Sequence, residues 1–146
     1  MDNKFIDLAI EEAKIAFEKN EVPVGAVIVK NNCVIASAHN MKLSTNNSLN
    51  HAEMIAINEA IHKIGDWRLN ECEMYITLEP CPMCAGAISQ SRVKKIYVGA
   101  KSNIACNEKV IADILQNDEY YHRVAISYLS NEKCSQLLTE FFANKR

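Results

Sequence analysis

Met74-Tyr75-Ile76-Thr77-Leu78-Glu79-Pro80-Cys81-Pro82-Met83-Cys84-Ala85-Gly86-Ala87-Ile88 is the stretch that decides the fold. Met74 to Leu78 is rich in aromatic and β-branched side chains and reads as a strand running straight into the Pro80 turn. Pro82 suits the first turn of a helix, where its missing N–H leaves no bond unmade, and Met83 to Ile88 continue that helix. Cys81 and Cys84, three apart at the helix start, can turn their side chains to one point. The helix N-terminus adds backbone N–H groups and a positive dipole there, which favours thiolate over thiol.

Outward from that stretch the same alternation continues. Residues 3 to 19 place Phe5, Leu8, Ala9, Ile15 and Ala16 at helical spacing, with acids and lysines between them. Val22 to Val29 is β-branched and strand-like, and Asn31-Asn32 forms a tight turn into a second strand, Val34 to Ala38. Asn40 to Asn50 is polar and reads as a loop. A helical pattern resumes at His51 with Met54, Ile55, Ile57, Ala60 and Ile61, and Gly65 provides a stop. After the central stretch come a strand at Ile96 to Gly99, a short helix near Val110 to Leu115 and a strand at Val124 to Leu129. Leu137, Leu138, Phe141 and Phe142 then line one face of a final helix. Five strands alternating with helices after an opening hairpin predict a three-layer α/β/α domain around a mixed sheet.

The 146 residues suit one domain spanning 1–146, with no repeat or linker. About half the chain is apolar (49%) and 23% is charged, a globular balance. No apolar run reaches membrane-spanning length, and Met1-Asp2-Asn3-Lys4 opens an amphipathic segment rather than a signal peptide. Cys33, Cys72, Cys106 and Cys134 sit mostly among apolar residues, as free thiols do in a reducing cytoplasm. A net charge of −2 does not advertise nucleic-acid binding, although Arg92, Lys94, Lys95 and Lys101 cluster after the Cys-x-x-Cys helix.

His51-Ala52-Glu53 completes the chemistry. One imidazole (His51) and two thiolates (Cys81, Cys84) make three zinc ligands. Structural zinc sites usually hold four, whereas catalytic ones keep three and leave a place for water. Glu53, two residues from His51, then stands where an unligated acid can reach that water. The order H-x-E…P-C-x-x-C is the signature of zinc-dependent nucleobase deaminases. His39, His62 and His122 lie outside the motif, so no fourth ligand is evident for a purely structural zinc module.

The chain resembles the bacterial tRNA-specific adenosine deaminases, within the cytidine-deaminase-like superfamily, nearly end to end. The resemblance rests on Glu21-Val22-Pro23-Val24-Gly25-Ala26-Val27-Ile28-Val29, on Thr77 to Ile88, and on the ending from His122-Arg123-Val124 through Cys134, Leu137, Leu138 and Phe141-Phe142. It implies a cytidine-deaminase-like fold, one zinc per chain, a homodimer, and conversion of the wobble adenosine of a tRNA anticodon to inosine. It also implies that Glu53 shuttles the proton. Asn40 stands where the family has its pocket asparagine, with a turn-forming role as the alternative for that residue type. Two features depart from the family pattern. Ser102 replaces an acidic residue after Gly99-Ala100-Lys101, and Asn103 to Lys109 replaces a stretch usually rich in glycine and alanine. A deaminase of a free base or nucleotide, of guanine or cytosine type, is the rival reading, since fold alone does not set the substrate.

Overall fold

Asn31 and Asn32 both take left-handed backbone angles (φ 51° and 64°), the geometry that joins two antiparallel strands without splaying them. They connect β1 (Gly25–Lys30) to β2 (Cys33–His39). The computed structural model describes residues 4–119 and 122–145. The remaining elements are α1 (Lys4–Glu18), α2 (Ala52–Ile64), β3 (Cys72–Leu78), α3 (Pro82–Gln90), β4 (Lys95–Ala100), α4 (Asn107–Leu115), β5 (Ala125–Tyr128) and α5 (Glu132–Ala143).

The five strands form one mixed sheet in the order β2-β1-β3-β4-β5. β1 runs antiparallel to β2 and β3, while β3, β4 and β5 are parallel. Successive side chains on a strand point to opposite faces, and both faces are covered. Ala26, Ile28, Met74 and Ile76 pack with Ala56, Ala60, Ile88 and Ile111 of α2, α3 and α4. Val27, Val29 and Tyr75 pack with Phe5, Ile6, Ala9 and Ile10 of α1 and with Cys134 of α5. The chain thus has the α/β/α layering and mixed five-stranded sheet expected from its sequence.

Element boundaries differ in instructive places. Val22-Pro23-Val24 lies before β1 rather than within it; Pro23 has no N–H for a ladder, and Val24 N–H turns back to Val22 O at 2.8 Å. His51 is the cap of α2 rather than its first turn, and Gly65 ends that helix with φ 78°. α4 begins at Asn107, three residues earlier than the apolar pattern suggests.

The mixed sheet brings four chain segments to one end. Gly25 opposes His39, Ala26 opposes Ile76 and Leu78 opposes Ala100. The start of β1 and the ends of β2, β3 and β4 therefore share that edge. Such a crevice at the carboxyl ends of parallel strands is where open α/β sheets place ligands.

α1 reaches this edge because its inner face is small: Ala9, Ala13 and Ala16 are fully buried. A Cβ added at Gly25 would land on Ala9 O and lie 2.7 Å from Ala13 N. Backbone cannot yield there without moving the helix off the sheet. Gly25→Ala should therefore cost about 3 kcal/mol or more of unfolding free energy. Gly86→Ala, where nothing in the same chain lies within 4 Å of an added Cβ, should impose no comparable cost on the fold of a single chain. Urea denaturation of the two variants distinguishes them, and equal midpoints would refute the close α1–β1 packing.

Candidate active site

His51 and Cys81 occupy the N-caps of α2 and α3 with extended backbones, and neither side chain caps its own helix. Ser, Thr, Asp or Asn is usual there, because a side-chain oxygen accepts a free N–H of the first turn. Here both side chains turn toward each other instead. Nδ1 of His51 lies 3.7 Å from Sγ of Cys81 and 3.5 Å from Sγ of Cys84. All three donor atoms fall within 4.8 Å of one another, the one such group among the described residues. Tetrahedral zinc, with Zn–N near 2.05 Å and Zn–S near 2.3 Å, sets an N–S separation of about 3.6 Å. Donor chemistry and spacing both fit that metal.

The cap that His51 does not supply comes from Asn40. Its Oδ1 accepts the Ala52 N–H at 2.8 Å. An N–H donates there, so the oxygen faces the helix, and Nδ2 of Asn40 remains a donor not used by this cap. Asn40 is thus a distant cap of the helix that carries His51, and it lines the same cavity as His51, Glu53 and Cys81.

Glu53 is 4% exposed. Burial pushes its carboxyl up to about 7, against the opposing pull of its own backbone N–H. A carboxyl near neutrality can both take and give a proton at the pH of a cell. The Cys84 side chain, hydrogen-bonded to the Cys81 sulfur, pulls the Cys81 thiol down to about 5, and the N–H groups of Cys84 and Met83 contribute further. Cys84 is held up in return, by that bond and by its burial. One thiolate is thus formed readily beside His51.

The cavity encloses about 630 Å³, a size suited to one nucleoside with part of its neighbours. Leu43 (64% exposed), Ile104 (64%) and Phe142 (47%) line it with apolar surface open to solvent, and Lys42 and Lys145 also line it. Two carboxylates in its wall, Glu21 and Glu79, lie within the stretches that carry the family resemblance, but the sequence assigns neither of them a role. Glu21, 1% exposed, accepts from Leu43 N (3.0 Å), Ser44 N (2.7 Å) and Ser44 Oγ (2.7 Å), and so fixes the loop after β2. Glu79 accepts from Asn107 Nδ2 at 2.8 Å and Tyr128 OH at 2.6 Å. Their flanking apolar residues, Val22 and Leu78, are the only hint that these acids turn inward.

The basic cluster expected beside the metal helix divides. Arg92, Lys94 and Lys95 precede or open β4, at the opposite end of the sheet from the cavity. Arg92 stacks over Trp67 at 5.2 Å and Lys95 over Tyr97 at 4.6 Å. Only Lys101 lies at the cavity end, where it pairs with Glu108 at 2.9 Å.

A layered α/β/α domain with a His-Cys-Cys cluster beside a buried glutamate defines a zinc-dependent deaminase. The model of the cytidine and deoxycytidylate deaminase zinc-binding region matches residues 1–100. A curated relative from Bacillus subtilis (strain 168), a tRNA-specific adenosine deaminase, is 42% identical over 146 residues, covering 99% of this chain and 91% of the relative. A solved structure from a study of A-to-I editing by tRNA:A34 deaminases at the wobble position of transfer RNA superimposes with TM-score 0.86 at 34% identity. That match covers 94% of this chain and all of the other. A guanine deaminase from Bacillus subtilis also shares the fold, with TM-score 0.67, 28% identity, and coverage of 99% and 94%. The chain belongs to the tRNA-specific adenosine deaminase family.

Zinc titration of protein stripped with a chelator should reach one equivalent per chain and raise the melting temperature. At free zinc about 1,000-fold above Kd the gain is about 4 kcal/mol. Cys84→Ala should abolish the rise, and a melting temperature indifferent to zinc in the unaltered chain would count against the site.

Proposed function

We propose that this chain hydrolyses adenosine to inosine at the wobble position of a tRNA anticodon, with His51, Cys81 and Cys84 as ligands of one zinc ion. The observation that carries the reading is the meeting of the His51, Cys81 and Cys84 donor atoms beside the buried Glu53. When bound, zinc supplies a nucleophilic water acidic enough to ionise near neutral pH. Glu53 accepts a proton of the attacking water, returns it to the adjacent ring nitrogen, and delivers the second to the departing amine. C6 gains an oxygen and loses nitrogen, so water and adenosine become inosine and ammonia. The zinc nucleobase deaminases, this family among them, are established to work in this way.

An anticodon loop is already single-stranded, so turning its base outward costs little. The cavity offers that base the Nδ2 donor of Asn40, whose oxygen is occupied by the helix. Asn40 therefore donates to an acceptor on the base or ribose, and it keeps its capping role at the same time. Exposed Leu43, Ile104 and Phe142 suit flanking nucleotides, whose faces stack on apolar surface. A guanine or cytosine compound is the rival substrate; the near full-length identity to tRNA-specific adenosine deaminases favours the RNA reading.

The protein acts as a homodimer through its α2–α3–α4 layer. Ile57 and Ile88 belong to the core, but Met54, Met83 and Val110 are half-buried and stand outside the core clusters. The compartment is the cytoplasm, where the free Cys33, Cys72, Cys106 and Cys134 would stay reduced. No helix among the described residues is long and apolar enough to cross a membrane.

Incubation with an anticodon stem-loop bearing wobble adenosine, beside free adenosine, adenine, guanine and cytidine, should yield inosine from the stem-loop alone. Turnover of only a free compound would reassign the substrate. Glu53→Ala should keep one zinc per chain and lower kcat by about 100-fold or more. Asn40→Asp preserves the oxygen that caps α2 but removes the donor. Its melting temperature should hold while KM for the stem-loop rises roughly tenfold; an unchanged KM would reduce Asn40 to a cap.

A further inference from the structure

Ser102 to Asn107 forms one wall of the cavity, with Ser102, Ile104 and Asn107 lining it. Its own hydrogen bonds are local. Ile104 N–H goes to Ser102 Oγ at 3.1 Å, Asn107 N–H to Ile104 O at 3.0 Å, and the preceding Lys101 pairs with Glu108. The bonds that join this wall to the metal loop all end on two adjacent residues. Glu79 Oε1 accepts from Asn107 Nδ2 at 2.8 Å and, at the long distance of 3.4 Å, from Ser102 N–H; Pro80 O accepts from Asn107 Nδ2 at 3.2 Å. On its other oxygen Glu79 accepts from Tyr128 OH at 2.6 Å, which ties in β5, and its own N–H donates to Ala100 O at 2.8 Å. The carboxylate is 4% exposed and stands two residues before Cys81.

We infer that Glu79 is a positioning residue for the deamination: it holds the Ser102–Asn107 wall against the metal loop and so sets how the nucleotide is seated. The inference rests on the wobble-adenosine reading for its substrate, though not for its geometry. What the wall needs from Glu79 is acceptors in place, not charge. A glutamine carboxamide can keep its oxygen toward Asn107 and donate its NH₂ to the Tyr128 oxygen, because a phenol both donates and accepts. Methionine matches the length but accepts nothing useful, so Tyr128 OH and Ser102 N–H lose their partner and Asn107 keeps only Pro80 O.

Zinc content, steady-state kinetics on the anticodon stem-loop, and amide hydrogen exchange at 101–107 should be measured for Glu79→Gln and Glu79→Met. Glu79→Gln should stay within about threefold of the unaltered protein in KM and kcat. Glu79→Met should retain one zinc per chain, raise KM on the order of tenfold with a smaller change in kcat, and speed exchange only at 101–107. A merely structural role would lower thermal stability and the active fraction, leaving KM alone; that pattern, or zinc loss, overturns the inference. Should Glu79→Met fail to fold, Tyr128→Phe removes one half-buried bond and should raise KM about threefold, and an unchanged KM overturns the inference equally. If the unaltered protein does not turn over the stem-loop, the substrate reading fails, and exchange at 101–107 in Glu79→Met still decides whether Glu79 holds the wall.

Discussion

Two helices begin at one point in space, and each begins with a side chain that leaves its own first turn uncapped. That convergence of His51 and Cys81 is the constraint on which the rest of the structure depends. An uncapped helix start typically forfeits about 1 kcal/mol. Asn40 offsets this for α2 from twelve residues away. For α3, Pro82 leaves one fewer N–H to satisfy. The sheet makes the meeting possible, since β3 ends beside β4 and leads directly into Cys81.

The fold was legible because its strands obey two rules at once. β1 and β3 are buried on both faces and read as mainly apolar stretches, Ala26 to Val29 and Met74 to Ile76, and Asn31-Asn32 marks the hairpin between β1 and β2. The Cys81–Cys84 pair was legible because their spacing at a helix start is a short-range property; His51, thirty residues earlier, was legible only through the H-x-E…P-C-x-x-C pattern, and the structure brings its ring to the two sulfurs. Other features depend on contacts far apart in sequence, which no local pattern encodes. Glu79 meets Tyr128 across 49 residues, and Glu21 meets Ser44 across 23. A glutamate between Leu78 and Pro80 looks like a solvated strand end until β5 and α4 close over it. The basic run Arg92 to Lys101 misleads for the opposite reason, because one strand carries its members to opposite ends of the sheet.

The cavity is apolar and basic at its mouth and acidic in its wall. Its two buried wall carboxylates are spent on protein donors, one on each flanking loop. Glu53 and Asn40 line the same cavity, apart from the hydrogen bonds these two carboxylates make to the flanking loops. A deaminase of guanine shares this scaffold, so the layers alone do not set the base, and the loops and side chains that line the cavity carry the difference. Ser102 to Asn107, where the chain departs from its family pattern, is one such loop.

The order in which the site is assembled follows from where its parts lie along the chain. The three sulfur and nitrogen ligands are all present once Cys84 has been made, whereas Phe141, Phe142 and Lys145 of the cavity come last. A chain that emerges N-terminus first therefore contains the whole His-Cys-Cys cluster some sixty residues before the last residues of the cavity lining. The donor cluster and the far wall of the cavity, neighbours in space, are thus far apart in the order of synthesis.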